Sequence, residues 1–280
     1  MTPYQLGRIA HPTDLSTEGE IAYHHALRLA VATGANLDMV HVNRDAHVVT
    51  PELFPSPATT LDAWRMEAPE GPAKVQRIAA YGKEPVQPIV GYLSDYLPDL
   101  LVLATHRRQG LARWLRREVA QKIARNRRMP TLYVPVGDEG FVSPTTGHVN
   151  LHRVLVPVDW TPIGQPAVDT VLGWAESLDA WPLELSLFHV AEKQGEFPTV
   201  VTPEREGLDV LRMQRNGKVE DEIVRRADEI GADLVVMVTD GRHGFLDGLR
   251  GSTTEQVLRQ LHCPLLVIPN PIPGGVQPEL

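Results

Sequence analysis

Two glycines and a pair of hydroxyl residues near the C-terminus have the types and spacing of an anion-binding loop. Nine residues separate Gly241 from Gly251, and Ser252 and Thr253 follow directly. Glycine lets the backbone approach an anion closely, and the free N–H groups of a helix start supply donors at the positive end of the helix dipole. Arg242 adds a cation that could pair with the anion. These residues predict a phosphate-binding site.

The flanking sequence predicts the elements that must hold this loop. Residues 234–238 and 265–268 are continuous apolar runs, which are typical of strands buried on both faces of a parallel sheet. Between them, Val257, Leu258 and Leu261 have helical spacing, and the hydroxyl residues before them suit a first helical turn. The predicted order is strand, glycine loop, helix start and strand.

This arrangement resembles the universal stress protein family. Domains of that family carry Gly, two residues, Gly, nine residues and then Gly-Ser or Gly-Thr between their last two strands. Gly241 and the Gly251-Ser252 pair match the pattern, whereas Val238 stands where the family has its first glycine. If the Val238 side chain faces the phosphate path, affinity falls; if it faces the core, little changes.

The resemblance implies roles for particular residues of the second half. Pro157, Val158 and Asp159 would flank the adenine and ribose, and the backbone of Val190 would meet the adenine edge, because ligands of doubly wound sheets lie where the strand order reverses. The phosphates would be held by Gly241, Gly251, Ser252 and Thr253, with Arg242 as a charge partner. Two alternatives stay open: a carboxylate that only stabilises the adjacent helix start, and glycines that serve only turn and cap geometry.

The chain also contains an internal repeat of a whole domain. Residues 104–135 align with residues 238–269 without a gap, and the matches include Thr105 with Thr239. Two further pairs of features correspond: runs that end in Pro-x-Asp at 8–14 and 153–159, and strand ends with His-Val at His41 and His189. We therefore predict domains at residues 1–137 and 150–270, joined by a polar linker from Gly137 to Asn150.

Strands that alternate with helices predict an α/β fold with a doubly wound parallel sheet in each domain. Predicted strands lie at 8–14, 37–42, 75–80, 100–103, 131–136, 153–159, 183–190, 209–214, 234–238 and 265–268. Thr17-x-x-Glu20 predicts a capping box, and Thr161-Pro162 predicts an N-cap with a first-turn proline. The resemblance implies two tandem Rossmann-like, adenine nucleotide alpha hydrolase-like domains. Each would have five strands in the order 3-2-1-4-5, and the two would pack through their last strands.

The nucleotide motif of the first half is degenerate. Its four motif positions hold Ala104, Arg107, Arg117 and Glu118. Two large cations stand where the phosphate path needs bare backbone. Glu118 puts a negative charge at the helix start, where it would repel an anionic ligand. We expect no nucleotide to bind there in the family manner, and we interpret Asp14 as an inherited residue.

A basic cluster spans the same region. An anion or nucleic-acid surface is one interpretation, and a solvated face that pairs with acids of the other domain is the other. The acidic chain favours the second interpretation. The cluster comprises Arg107, Arg108, Arg113, Arg116, Arg117, Lys122, Arg125, Arg127 and Arg128.

Composition and charge exclude several classes of protein. The net charge of -8 disfavours general binding to nucleic acid or a membrane, and no apolar run reaches the roughly 20 residues of a membrane span. No signal peptide is evident, and Cys263, the single cysteine, rules out an internal disulfide, so we expect a cytoplasmic protein. Cys263 is interpreted as a packing residue, and His41 and His189 as parts of the fold rather than metal ligands.

The favoured functional hypothesis is a non-enzymatic stress-response module that binds ATP, with or without Mg, or a related adenine nucleotide in its second domain. Any ATPase activity would be weak and incidental. Its partners would be the nucleotide, its own other domain and a further copy of the chain. Two alternatives remain: a scaffold that binds no nucleotide and acts through protein contacts, and an adenylate-transferring enzyme of the same fold. The last has only fold-level likeness in its favour.

Overall fold

The computed structural model describes residues 6–43, 56–66, 74–82, 86–106, 110–111, 129–138, 140–191, 195–239 and 253–270. The strands are β1 (Arg8–Thr13), β2 (Asn36–Asn43), β3 (Val75–Tyr81), β4 (Leu100–His106), β5 (Gly110–Leu111), β6 (Thr131–Pro135), β7 (Arg153–Pro157), β8 (Leu183–Val190), β9 (Leu208–Arg215), β10 (Leu234–Thr239) and β11 (Leu265–Pro269). The helices are α1 (Glu20–Thr33), α2 (Pro57–Trp64), α3 (Val86–Tyr96), α4 (Gln165–Ser177), α5 (Val219–Ile230) and α6 (Thr253–Gln260). The predicted strands are confirmed within a few residues at their ends.

The strands form one continuous sheet in the order β3-β2-β1-β4-β6-β11-β10-β7-β8-β9, with β5 paired to β4. Each half has the predicted order 3-2-1-4-5 with parallel neighbours. The last strands of the halves, β6 and β11, pair antiparallel, with Leu132 opposite Leu266. The two predicted sheets therefore join through their last strands.

The central strands read as apolar runs because helices cover both faces of the sheet. Leu37 and Met39 of β2 share one buried cluster with Leu27 of α1, and that cluster extends to the apolar face of α4. Val40, on the opposite face of β2, belongs to the cluster that α3, α5 and α6 cover. A fully buried leucine such as Leu27 stabilises the fold by about 1.5–3 kcal/mol.

The predicted capping box at the start of α1 is wrong. A 3-10 turn from Thr17 to Gly19 comes first, and Ser16 is its cap: the Ser16 hydroxyl accepts the N–H of Gly19 at 3.2 Å. The helix begins only at Glu20. At its other end, Gly34 adopts φ 72°, the left-handed conformation that closes the helix.

The predicted start of α4 at Thr161-Pro162 is also wrong. The helix begins at Gln165, after Gly164, and its first-turn proline is Pro166. A β-bridge between Asp159 and Ile163 holds the intervening residues as a loop, so they are not available to the helix. Gly164 is required in this position, because a Cβ there would lie 2.7 Å from Cγ1 of Val158.

The predicted linker packs against the first half. Within residues 140–150, called the strap from here on, Val142 and Val149 form a bridge, and both side chains are buried together with Phe141. Imidazole Nε2 of His25 accepts the N–H groups of Phe141 and Val142 at 3.0 and 3.2 Å. The indole of Trp64 donates to the carbonyl of Pro144 in the strap at 3.0 Å. The strap is therefore held to the first half by specific contacts that its polar composition does not predict.

The internal repeat extends to individual contacts. The Asp99 carboxylate accepts the N–H groups of Gly7 and Arg8 at 2.8 and 2.9 Å, just before β1 and at its start. Asp233, which the repeat aligns with Asp99, accepts the N–H groups at the corresponding place before β7, at 2.9 and 2.8 Å. The same carboxylate contact fixes the entry of the first strand in both halves.

Candidate functional site

The second half contains the point at which the strand order of its sheet reverses. Strand β7 lies between β8 and β10, and all three run parallel. At this kind of reversal the loops at the carboxyl ends of the strands diverge and leave a crevice. Pro157, Val158 and Asp159 follow the end of β7, Val190 ends β8, and Thr253 opens the helix after β10. Gly241, Arg242, Gly251 and Ser252, the other predicted site residues, lie outside the described residues.

Two backbone contacts bring the predicted adenine-side residues together. Pro157 pairs with Phe188 in the register of β7 and β8, and the N–H of Val158 donates to the carbonyl of Phe188 at 2.8 Å. The Val158 side chain is buried, whereas its carbonyl accepts a hydrogen bond from the imidazole Nδ1 of His189 at 2.9 Å. Because His189 immediately precedes Val190, the ring ties the ends of β7 and β8 to each other.

Asp159 presents a carboxylate at the mouth of the crevice. Its side chain is 62% exposed, and its Oδ1 lies 3.9 Å from Nδ1 of His189. The same oxygen accepts the N–H of Trp160 at 2.8 Å. Since α4 begins only at Gln165, this bond is made within the loop and not at the helix start. Within the part of the chain that the structure describes, the other carboxylate oxygen of Asp159 accepts no hydrogen bond.

The cation opposite Val190 is already paired. Arg215 of β9 lies across from Val190, and its guanidinium binds both carboxylate oxygens of Glu229 at 2.9 and 2.7 Å. This contact raises the pKa of Arg215 and lowers the pKa of Glu229. Arg215 therefore serves the packing of α5 on β9, and a ligand would need another cation.

Val238, the departure from the family pattern, packs against the core. It is partly buried against the cluster beneath α1 and α4, and it lies opposite Ile268 of β11. Ala104, its counterpart in the first half, packs against the same cluster. The valine side chain therefore has core contacts on the face of the sheet that α4 covers.

Sequence reasoning missed an apolar rim beside the crevice. Trp160, Ile163 and Val201 are 51%, 52% and 70% exposed. Gln165 holds Val201 near the loop that contains Trp160 and Ile163. Its side-chain amide accepts the N–H of Val201 at 2.8 Å and donates to the carbonyl of Val201 at 3.0 Å. Isolated apolar residues in loops carry no periodic signal, and only the unusual tryptophan directly after Asp159 could have drawn notice.

The first half preserves the framework of the crevice. The imidazole Nδ1 of His41 donates to the carbonyl of Thr13 at 3.0 Å, which repeats the contact of His189. Asp14 is exposed, and its Oδ1 accepts the N–H of Ser16 at 3.0 Å. Arg107, Arg117, Glu118 and the predicted basic cluster lie outside the described residues.

Other candidate chemistry is structural where the structure describes it. His41 and His189 each bond a backbone carbonyl, and the described residues contain no group of three or more His, Cys, Asp or Glu side chains placed to hold a metal ion. Burial raises the pKa of the Cys263 thiol to about 12, so the thiolate needed for nucleophilic attack does not form near neutral pH. The predicted packing role of Cys263 agrees with its contact with the cluster beneath α5 and α6.

Comparison with known proteins gives the family. The model of the universal stress protein family matches residues 6–135 and 201–269. This chain belongs to the universal stress protein family. The second match begins after Pro157, Asp159 and Val190, so the roles of those residues depend on the repeat and on their geometry. Among the described residues of this universal stress protein, no helix is long and apolar enough to cross a membrane.

Individual relatives agree with the family and the fold. A universal stress protein of Methanocaldococcus jannaschii is 26% identical over 144 residues, which are 44% of this chain and 85% of that protein. The crystal structure of a universal stress protein from Archaeoglobus fulgidus matches with a TM-score of 0.60 at 18% identity, covering 94% of this chain and 96% of the other. A functionally unknown protein from Pseudomonas aeruginosa matches with a TM-score of 0.58 at 14% identity, covering 95% and 93%. These two structures support the whole-chain fold.

Proposed function

We propose that this universal stress protein is a cytoplasmic, non-enzymatic stress-response module that binds ATP, with or without Mg, or a related adenine nucleotide. The ligand would occupy the crevice of the second of two domains, at residues 1–137 and 150–270. The observation that carries the proposal is the reversal of strand order at β7. That reversal brings the Pro157–Asp159 turn beside the end of β8 and next to β10, the strand that leads to the glycine loop.

The charge and polarity of the crevice support this ligand. Asp159 offers an exposed carboxylate oxygen, which suits the hydroxyl donors of a ribose. The start of α6 at Thr253 offers N–H groups that have no partner within the helix, and such groups suit the phosphates. The core contacts of Val238 support the interpretation in which this departure from the family pattern costs little affinity.

Weak turnover is part of the same proposal. Glycines and hydroxyl residues bind phosphate but do not activate a water molecule, and Oδ1 of Asp159 is engaged with a backbone N–H. We therefore expect ATP to be bound and released largely intact. Incubation with Mg-ATP and measurement of released phosphate would check this.

A thermal shift experiment tests the binding proposal. Because a ligand that binds only the folded state stabilises it by mass action, Mg-ATP at about 100 times its dissociation constant should add about 2.7 kcal/mol and raise the melting temperature. Gly251→Asp should abolish the rise, since it adds bulk and negative charge in the predicted phosphate path. Arg117→Asp, at the aligned position of the first half, is the matched control and should retain it.

A second candidate function, a scaffold that acts through protein contacts, is favoured by the exposed rim of Trp160, Ile163 and Val201. Exposed apolar side chains close together are typical of contact surfaces. The two functions differ in one measurement. If millimolar Mg-ATP leaves the melting temperature of the wild-type protein unchanged, the nucleotide proposal fails and the scaffold is preferred.

A further inference from the structure

We propose that His189 is a positioning residue in the second half. It would set the separation between the Pro157–Asp159 turn and the end of β8, the two segments predicted to contact the adenine. This inference rests on the proposed function, because it concerns the same crevice. His189 would not touch the phosphates. It would act by holding the Pro157–Asp159 turn at a fixed distance from Val190.

The hydrogen bond of His189 defines its chemical state. Nδ1 lies 2.9 Å from the carbonyl oxygen of Val158. A carbonyl oxygen only accepts, so the proton of this bond must reside on Nδ1 of the ring. The N–H of Val158 donates to the carbonyl of Phe188, the residue before His189, at 2.8 Å. Val158 is thus fixed to β8 on both its N–H and its carbonyl side.

The surroundings of the ring restrict its movement. The His189 side chain is 6% exposed, and the ring of Phe197 meets it edge-on with centroids 6.0 Å apart. The Asp159 carboxylate lies beside the ring, with Oδ1 3.9 Å from Nδ1 of His189. A ring held in this way orients the backbone of Val158 and keeps Asp159 at the mouth of the crevice.

The first half supplies a natural control. His41 donates from Nδ1 to the carbonyl of Thr13 at 3.0 Å, and Thr13 precedes Asp14 as Val158 precedes Asp159. The contact is therefore common to both halves, but the glycine motif is present only in the second half, at Gly241 and Gly251. If the histidine served the fold alone, its removal would have the same consequences in either half. A positioning role predicts that nucleotide binding depends on His189 and not on His41.

The experiment measures the dissociation constant of Mg-ATP by isothermal titration calorimetry for the wild type, His189→Leu, His189→Asn and His41→Leu. Asparagine can offer an amide N–H near the place of Nδ1, whereas leucine fills space without a donor. We expect His189→Leu to weaken binding about tenfold, as the loss of roughly one hydrogen bond would do. His189→Asn should stay within about threefold of the wild type, and His41→Leu should bind like the wild type.

The outcomes separate this proposal from the one on which it rests. Wild-type protein that takes up no Mg-ATP overturns both. Wild-type protein that binds, together with a folded His189→Leu variant of equal affinity, overturns only the positioning role. A His189→Asn variant as weak as His189→Leu, or an equal loss in His41→Leu, also overturns it, because either result would mean that the ring serves general stability. Urea unfolding of each variant establishes that the compared proteins are folded.

Discussion

Acidification from pH 7 to pH 5 should destabilise this protein through histidines that the fold keeps neutral. His11 and His25 are fully buried, and their Nδ1 atoms donate to the carbonyls of Val102 and Ile21 at 3.0 and 2.7 Å. Nε2 of His25 must also stay unprotonated, because it accepts two N–H groups of the strap. Burial lowers the pKa of both imidazoles to about 4.

The sign and the size of the effect follow from this shift. The pKa is lower in the folded state than in the unfolded chain, where it is about 6.5, so the unfolded chain takes up protons first as the pH falls. The stabilisation is complete above pH 6.5 and is lost progressively between pH 6.5 and pH 4. At pH 5 each histidine costs about 2 kcal/mol, and the pair costs about 4 kcal/mol, a large part of the 5–15 kcal/mol typical of a folded protein.

Other titrating groups do not obscure this window. His24, which neighbours His25 on α1, is also buried with a pKa lowered to about 4, so it adds to the effect in the same direction. Glu220 and Glu229 have lowered pKa values because of Lys218 and Arg215, so the stability they contribute is lost only below their ordinary pKa of 4.5. Partial burial raises the pKa of Glu20, so its protonation on acidification opposes the loss instead of causing it. Among the described residues with shifted pKa values, the loss between pH 6.5 and pH 5 therefore comes from the buried histidines.

Urea unfolding at pH 7, 6 and 5 measures the effect. His25→Gln keeps an amide oxygen that can accept from the strap but cannot titrate, and His11→Asn keeps a donor for the carbonyl of Val102. The double variant should lose about 4 kcal/mol less than the wild type between pH 7 and pH 5. His148→Gln, at an exposed position of the strap, is the control and should keep the wild-type slope. A wild-type loss below about 1 kcal/mol, or a double variant with the wild-type slope, would refute the reasoning.

Three further predictions follow from single contacts. Gly140→Ala should destabilise the fold by about 2 kcal/mol or more in urea unfolding, because Gly140 has φ 65° and a Cβ there would lie 2.4 Å from the ring of His25; Gly91→Ala, where the added Cβ meets nothing within 4 Å, should instead stabilise by about 0.5–1 kcal/mol. Val238→Gly should cost about 2 kcal/mol of stability and leave the Mg-ATP affinity within about threefold, and a tenfold gain in affinity would contradict the core placement of the valine. Tryptophan emission should change when Mg-ATP binds, and the change should be smaller in Trp160→Phe; an identical change in both proteins would place Trp160 away from the ligand.

The order of the strands and helices could be predicted from the sequence, but the residues at which the helices begin could not. Strands β10 and β11 could be predicted because both faces of the sheet are covered, which forces uninterrupted apolar runs at 234–238 and 265–268. The start of α4 could not, because Thr161-Pro162 has the local pattern of a helix start. The bridge between Asp159 and Ile163 excludes that helix start, and it depends on the conformation of the whole loop and not on a local sequence pattern.

Long-range contacts explain what the composition of the strap concealed. Its anchors, His25 and Trp64, lie far away in the sequence, and the strap itself is short and polar with no apolar period. Polar residues of the strap form hydrogen bonds within its own turns: the hydroxyl of Ser143 accepts the N–H of Thr146 at 3.3 Å. A segment of this composition can be packed or free, and only the partner contacts decide which.

The two halves keep the contacts that the fold needs and differ where function can differ. Below the sheet of the first half, the buried carboxylate of Asp38 is neutralised by Arg8 and accepts a hydrogen bond from Tyr92. At the corresponding place in the second half, the Ser186 hydroxyl meets the Arg226 guanidinium at 3.3 Å. Asp38 and Tyr92 correspond to Ser186 and Arg226 in the repeat, so these two positions differ together, whereas Arg8 corresponds to another arginine, Arg153. A buried carboxylate without donors, or a buried guanidinium without an acceptor, would be costly. The paired histidines and the paired aspartates at the strand entries have not changed. A repeat that preserves its framework in this way can lose the glycine motif of one half without loss of the fold. Under the proposed function, the unequal motifs would give the two halves different roles.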